Sequence, residues 1–315
     1  MQEAVLSLQN VCKNYGNFKA VDDISLSVPA GAVYGFLGPN GAGKTTTIRM
    51  ILDIIRPSSG QLSVFQQGSA LSARNRIGYL PEEKGLYKKM PASSLISYFA
   101  MLKGMPRKLA RQRSTELLKK YGLAEFADAK IETLSKGMGQ KVQVLATVAH
   151  DPELVILDEP FSGLDPVNQQ VLEQLIRDLA ANGQTVVFST HIMEHAERLC
   201  DQIVLITGGK KIFDGSVSEA RSVLPRRVLM ATDGDLEFLN KHCAVENAVQ
   251  LPFDQSGYQQ WSIEISKGAD PLAVLQTCFA NNIALSRFEY SDPSLHDVFV
   301  HLVGNATQDQ RLRCA

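Results

Sequence analysis

The chain has 315 residues, with 32 Lys and Arg against 33 Asp and Glu, a net charge of −1 that argues against nucleic acid phosphate as its main partner. Apolar residues make up 44% of it without an unbroken run of roughly eighteen, so no transmembrane helix is expected, and Met1-Gln2-Glu3-Ala4-Val5 lacks the basic and apolar parts of a signal peptide. The scattered cysteines Cys12, Cys200, Cys243, Cys278 and Cys314 include no C-x-x-C pair and are expected to be reduced thiols in a cytosolic protein.

The first ten residues and Asp23-Ile24-Ser25-Leu26-Ser27-Val28 alternate apolar with polar, which predicts antiparallel strands around a hairpin-like stretch carrying Tyr15. A short strand follows at Val33-Tyr34-Gly35-Phe36-Leu37. Then comes Gly38-Pro39-Asn40-Gly41-Ala42-Gly43-Lys44-Thr45, which reads G-x-x-x-x-G-K-T. A helix is predicted behind it over Thr46 to Ile55, where Ile48, Ile51, Leu52 and Ile55 recur at helical spacing. Strand, loop and helix in this order mark a phosphate-binding loop, and a nucleoside triphosphate as its ligand. Gly38, Gly41 and Gly43 free the backbone so that N–H groups converge on phosphate, and the helix start adds its positive end. Lys44 is expected at the β- and γ-phosphates and the Thr45 hydroxyl on Mg²⁺. The nucleotide-binding set read from the loop is Gly38, Pro39, Asn40, Gly41, Ala42, Gly43, Lys44, Thr45 and Thr46.

Arg56-Pro57-Ser58-Ser59-Gly60 stops the helix, and Gln61-Leu62-Ser63-Val64-Phe65 reads as another strand. From about Met90 to Ser135 the composition turns helical and rich in Lys and Arg, which reads as a helical insertion. Its basic run, Arg107-Lys108, Arg111 and Arg113, reads as a solvated helix face, with a partner contact as the second reading. Near-continuous apolar runs at Leu154-Val155-Ile156-Leu157 and Thr185-Val186-Val187-Phe188 then signal a parallel sheet, so the core is α/β.

Another shift comes at Val217 to Arg227. Strand patterns at 227–231 and 260–265 and helical patterns at 236–244 and 271–280 predict a small α+β domain over 225–303. The Asp292-Pro293 pair opens a last helix through Leu302, and a frayed polar tail is expected over 304–315.

The strand Leu154-Val155-Ile156-Leu157 ends in Asp158-Glu159. Asp158 is placed to hold Mg²⁺ beside Thr45, and Glu159 to orient and activate an attacking water. Metal, lysine and a water-positioning group around one γ-phosphate are what phosphoryl transfer requires. Leu134-Ser135-Lys136-Gly137-Met138-Gly139-Gln140-Lys141 opens a helix with Ser135 at the cap.

With this stretch the chain resembles the ATP-binding cassette (ABC) ATPases, whose signature reads L-S-G-G-Q. The resemblance covers about residues 3 to 220. It implies that Tyr15 stacks on adenine, that Ser162-Gly163-Leu164-Asp165 is the D-loop with Asp165 a dimer contact, and that His191 after Ser189-Thr190 is the switch histidine beside Glu159 and Lys44. His195, one turn on, reads as structural. Glu82, after Ile77-Gly78-Tyr79-Leu80-Pro81, stands where the family usually has glutamine and can still ligate Mg²⁺ with Thr45 and Asp158. Lys136 replaces the first signature glycine and Met138 the final glutamine, while Ser135 and Gly137 remain.

The resemblance further implies ATP and Mg²⁺, a head-to-tail homodimer in which Ser135, Gly137 and Met138 face the partner's ATP, and a separate transmembrane permease. It implies peripheral attachment at the cytoplasmic face of the cell membrane, and the pattern looks closest to bacterial exporters. The α+β domain resembles the C-terminal domain of some transporter ATPase subunits, with a regulatory or dimer-stabilising role. The alternative is a soluble ABC ATPase acting on ribosomes or DNA. Those relatives carry two cassettes or long coiled coils, and this chain shows neither.

Overall fold

A computed structural model describes residues 4–83, 87–253 and 258–313, with side chains through residue 304. The alternating N-terminal pattern folds as β1 (Ala4–Tyr15) and β2 (Phe18–Pro29), and β4 (Ser59–Val64) completes an antiparallel sheet in the order β2-β1-β4. Between them lie β3 (Val33–Leu37) and α1 (Lys44–Ile51). The helix ends earlier than the Ile55 expected from its periodicity. Asp53 turns left-handed at φ +57°, and the Ile54 N–H reaches back to the Arg49 carbonyl. Asp tolerates that conformation better than most side chains, so the chain closes a helix-ending turn there.

The second sheet collects β5 (Ile77–Leu80), β6 (Leu154–Leu157), β7 (Thr185–Thr190), β8 (Gln202–Thr207) and β9 (Lys210–Ser216) around β3. Its order is β5-β6-β7-β3-β8-β9, parallel except for β9 at one edge. The central strands are buried on both faces, which is why their sequences run apolar without alternation. Leu154, Ile156 and Val187 feed the core shared with the antiparallel sheet and α1. Val155, Leu157, Val186 and Phe188 feed a second core under the helices. Each such side chain, fully buried, contributes roughly 1.5–3 kcal/mol. In register, Leu157 pairs with Phe188, and Leu37 pairs with Thr190. The strands β3, β6 and β7 therefore end at one edge, where ligands of open parallel sheets bind.

The insertion forms α2 (Ala92–Leu102) and α3 (Arg107–Lys120), followed by single 3₁₀ turns at Ala124–Phe126 and Ile131–Thr133 and then α4 (Lys136–Val148). Ala110, Ser114, Leu117 and Leu118 of α3 are buried, while Arg107, Lys108 and Arg111 face solvent. Beyond β6 come α5 (Pro166–Ala181) and, after β7, α6 (Met193–Leu199). Among the described residues no helix is long and apolar enough to cross a membrane. Cys12, Cys200, Cys243 and Cys278 are free thiols, and Cys314 lies outside the described residues.

The chain separates into two compact units, Met1–Val217 and Ser218–Ala315. In the second, α7 (Val217–Arg221) leads into β10 (Arg226–Thr232), β11 (Val245–Leu251), β12 (Gln259–Ile265), α8 (Pro271–Ala280), β13 (Leu285–Ser291) and α9 (Leu295–Arg313). The antiparallel order β11-β12-β10-β13 is that of a split β-α-β fold. Val228, Met230, Trp261 and Ile263 on one sheet face pack against Val274 and Cys278 of α8.

Two expectations are corrected by the structure, and one strand was not foreseen. The helix expected at 236–244 is a 3₁₀ turn, Glu237–Lys241, because Leu236 and Leu239 bury three apart and the Asn240 side chain bonds the Ala248 backbone. Strand β11 is an unforeseen element, since a bulge between Val245 and Asn247 breaks its alternation. The tail backbone stays helical to Arg313 where fraying was expected from Asn305.

Candidate functional site

The loop between β3 and α1 is shaped by two glycines. Gly38 has φ +153°, and a Cβ there would lie 2.1 Å from the Ile206 carbonyl of β8. Gly43 caps α1 at φ +105°, and its missing Cβ admits the Ala20 carbonyl of β2, which would otherwise stand 2.6 Å away. No side chain fits either place, so the loop closes onto the sheet with its N–H groups at the start of α1. Lys44 is buried, and its Nζ donates to the carbonyls of Gly38 at 2.7 Å and Pro39 at 3.1 Å. Thr45 sits in the first turn of α1, followed by Thr46 on the same helix.

At the end of β6 the chain turns so that Glu159 takes φ +46°, a left-handed conformation for a residue with a side chain. The strain of roughly 1–3 kcal/mol is held by what surrounds it. The Glu159 N–H donates to Ser189 Oγ at 2.9 Å, and Ser189 Oγ donates to Asp158 Oδ1 at 2.6 Å. The Glu159 carboxylate is 7% exposed; its Oε1 lies 3.4 Å from Lys44 Nζ and its Oε2 3.0 Å from His191 Nδ1. The strand ends of β3, β6 and β7 thus bring the buried Lys44–Glu159 ion pair and the half-exposed His191 ring together. Ser189 was not among the residues singled out in the sequence. Its signal is a buried hydroxyl one residue past an apolar run.

Thr45 Oγ1 donates to Asp158 Oδ1 at 3.2 Å, and Asp158 Oδ2 is buried with no partner. Burial pushes the Asp158 carboxyl up, while the hydrogen bonds from Ser189 and Thr45 pull it back and Glu159 adds to the rise. An unsatisfied buried carboxylate oxygen beside a threonine hydroxyl fits a hard divalent cation such as Mg²⁺. Glu82 is exposed, two residues beyond Leu80, the β5 residue paired with Leu157.

Ser135 caps α4, its hydroxyl accepting the Met138 N–H at 3.2 Å. Gly137 lies against Asn168, where a Cβ would come within 2.3 Å of Nδ2. Asp165 caps α5 and holds both the Asn168 N–H at 2.9 Å and its side-chain amide at 2.6 Å. A Cβ on Gly163 would stand 2.3 Å from the Lys136 ammonium, so Lys136 rests on the 162–165 turn of its own chain. Gln140 is buried and donates to the Pro160 carbonyl at 2.6 Å, tying α4 to the residue after Glu159, a link that sequence reading passed over. Tyr15 is 51% exposed at the hairpin, with the Lys13 ammonium 5.2 Å from its ring centre. Phe18, its strand partner, is an exposed second aromatic there.

The profile of the family described as ABC transporter matches residues 21–162. The chain is 38% identical over 301 residues to the uncharacterized ABC transporter ATP-binding protein YhaQ of Bacillus subtilis (strain 168), covering 95% of this chain and 99% of that one. It is 38% identical over 218 residues to the Nod factor export ATP-binding protein I of Ralstonia nicotianae, 68% of each chain. A solved ATP binding subunit of an ABC transporter superposes with a TM-score of 0.64 at 29% identity, over 70% of this chain and 92% of that one. Phosphate loop, strand-end acids, fold and full-length similarity agree: the chain belongs to the ATP-binding subunits of ABC transporters, and is a P-loop ATPase.

Proposed function

We propose that two copies of this chain bind MgATP between them, hydrolyse it, and power export through a separate membrane-spanning permease at the cytoplasmic face of the membrane. The observation that carries the reading is the buried Lys44–Glu159 pair, with His191 against Glu159, beside the unpartnered Asp158 oxygen. Around one γ-phosphate these residues supply what the reaction needs from a protein. The loop N–H groups and Lys44 bind the β- and γ-phosphates, and Tyr15 stacks on the adenine. Mg²⁺, held by Thr45, Asp158 and Glu82, supplies charge neutralisation on the phosphoryl group when bound. Glu159 orients water and takes its proton as the water oxygen bonds to the γ-phosphorus and the bond to the ADP oxygen breaks. His191 keeps the Glu159 carboxylate in place and, 43% exposed, is open to the nucleotide side.

Ser135, at the exposed start of α4, and the exposed Asp165 support the paired arrangement. The positive end of a helix there suits a phosphate supplied by a second copy, and a two-fold pair closes symmetrically. Similarity to a Nod factor export subunit supports export. The split β-α-β unit, which a relative covering 95% of the chain shares in sequence, is read as regulatory or dimer-stabilising.

The test is a Glu159→Gln variant in saturating MgATP. Hydrolysis should fall by roughly 10²–10³-fold and light scattering should show a dimer. A species that stays monomeric with ATP bound would overturn the paired arrangement. Capture of the tagged chain from detergent-solubilised membranes should bring a stoichiometric polytopic membrane protein. Ribosomal or DNA-repair proteins in its place would move the ATPase to another machine.

A further inference from the structure

Behind the β7 end lies a second buried group that the hydrolytic reading leaves unused. The His195 ring stacks on Phe161 with centroids 4.1 Å apart and planes 13° from parallel. Phe161 meets Phe188 edge-on at 5.8 Å. His195 is 2% exposed. Beneath it, Glu173 of α5 is 6% exposed at its side chain, with Oε1 3.0 Å from Arg198 Nη2 and 3.5 Å from His195 Nδ1. Its Oε2 lies 3.5 Å from Arg177 Nη2. Burial and then the Arg198 charge lower the imidazole, with Glu173 opposing them, so the ring stacks in its neutral form near pH 7.

Two arguments give this group a role beyond packing. The first is energetic. Only the carboxylate is buried, Arg177 and Arg198 being 48% and 52% exposed, but its desolvation still has a cost, and apolar residues of equal volume commonly fill such a place with equal or greater stability. The charges therefore specify a geometry in place of adding to the core. The second is topological. Phe161 follows Glu159 by two residues, and His195 follows His191 by four. The stack thus clamps the two segments whose functional ends meet in the 3.0 Å Glu159–His191 contact. Glu173 adds α5, the helix that Asp165 begins.

We propose that His195 is a positioning residue for ATP hydrolysis: stacked on Phe161 and set by Glu173 and Arg198, it fixes the left-handed turn at Glu159 and the approach of His191. This rests on the reading that Glu159 and His191 act on the attacking water and the γ-phosphate. An open cleft of about 450 Å³ runs past the group, lined by His195 and Arg198 with Gln169, Ile192, Glu194 and Glu197.

The test compares His195→Ala, His195→Phe and Glu159→Gln by kcat and KM for ATP. His195→Ala should lower kcat by roughly tenfold or more, as small misplacements of reacting groups do, with KM within about twofold. His195→Phe keeps the stack and should recover at least half of the lost rate, and added imidazole should restore His195→Gly in part. A folded His195→Ala with parental kcat, or a deficit that His195→Phe does not relieve, overturns the proposal. Should the alanine variant fail to fold, Glu173→Gln carries the test: a lower kcat at constant KM supports the role and an unchanged kcat refutes it. If Glu159→Gln hydrolyses ATP at the parental rate, the underlying reading fails, whatever His195 does.

Discussion

The hydroxyl of Ser189 donates to Asp158 Oδ1 over 2.6 Å while accepting the Glu159 N–H over 2.9 Å. One side chain from β7 therefore holds both acids at the end of β6. In Ser189→Ala the Glu159 N–H is left buried without a partner, at a cost of about 1–3 kcal/mol. Asp158 loses a hydrogen bond that holds its carboxyl down, so its pKa rises further. The expected outcome is a lower melting temperature and a higher Mg²⁺ concentration for half-maximal hydrolysis, with the gap widening as pH falls. An unchanged Mg²⁺ titration at acid pH would remove Asp158 from the metal's ligands.

Gly38 and Gly41 differ in what a methyl group would meet. At Gly38 a Cβ would stand 2.1 Å from the Ile206 carbonyl, whereas at Gly41, with φ +79°, it would meet nothing within 4 Å. Gly38→Ala must move the loop off β8 and should abolish measurable ATP binding. Gly41→Ala incurs only the left-handed backbone cost of about 1–2 kcal/mol and should weaken binding by roughly tenfold. Nucleotide titration by fluorescence compares the two. Equal losses would mean that the close approach to Ile206 does not shape the site.

Gly137 faces Asn168, whose amide is tied to Asp165 over 2.6 Å. An alanine there must push Asn168 aside and loosen the start of α5, without touching the Lys44 loop. In the Glu159→Gln background, Gly137→Ala should leave ATP binding by the single chain within about twofold. Pairing should need roughly tenfold more protein. Sedimentation at several concentrations reads this, and weakened single-chain binding with normal pairing would assign the signature to its own chain's nucleotide.

His150, after α4, has a buried Nδ1 without a partner, and its Nε2 lies 3.3 Å from the Ile77 carbonyl. Burial first, and the Lys103 charge second, push it from 6.5 down to about 4. Between those values the unfolded chain holds the proton and the folded chain does not, so stability is lost as pH falls through that window. The loss from about pH 7 to about pH 5 should be on the order of 1 kcal/mol once solvent screening is allowed for. His150→Gln should flatten this part of the acid limb in urea titrations. Parallel slopes for the two chains would place the proton uptake elsewhere.

Local sequence was enough wherever the chemistry requires a fixed spacing along one stretch of chain. Glycines at 38, 41 and 43 with Lys44 and Thr45 form one such stretch, and the apolar run ending in Asp158-Glu159 is another. Both could be read because their neighbours in sequence are their neighbours in space. The helix starting after Ser135 was equally legible, since the cap bond to Met138 spans three residues. The strand β13 and the 3₁₀ turn at 237–241 were not, because their burial depends on which strands lie beside them.

Only the tertiary structure decided what stands between those stretches. The strand order puts β6 between β5 and β7, and so brings Ser189 to Asp158 across 31 residues of sequence. It also sets Glu159 at a positive φ between Lys44 and His191, and places His195 on Phe161. None of these pairings leaves a periodic mark on the chain. They follow from the packing of a sheet buried on both faces, where the free energy of a contact depends on elements far apart in sequence.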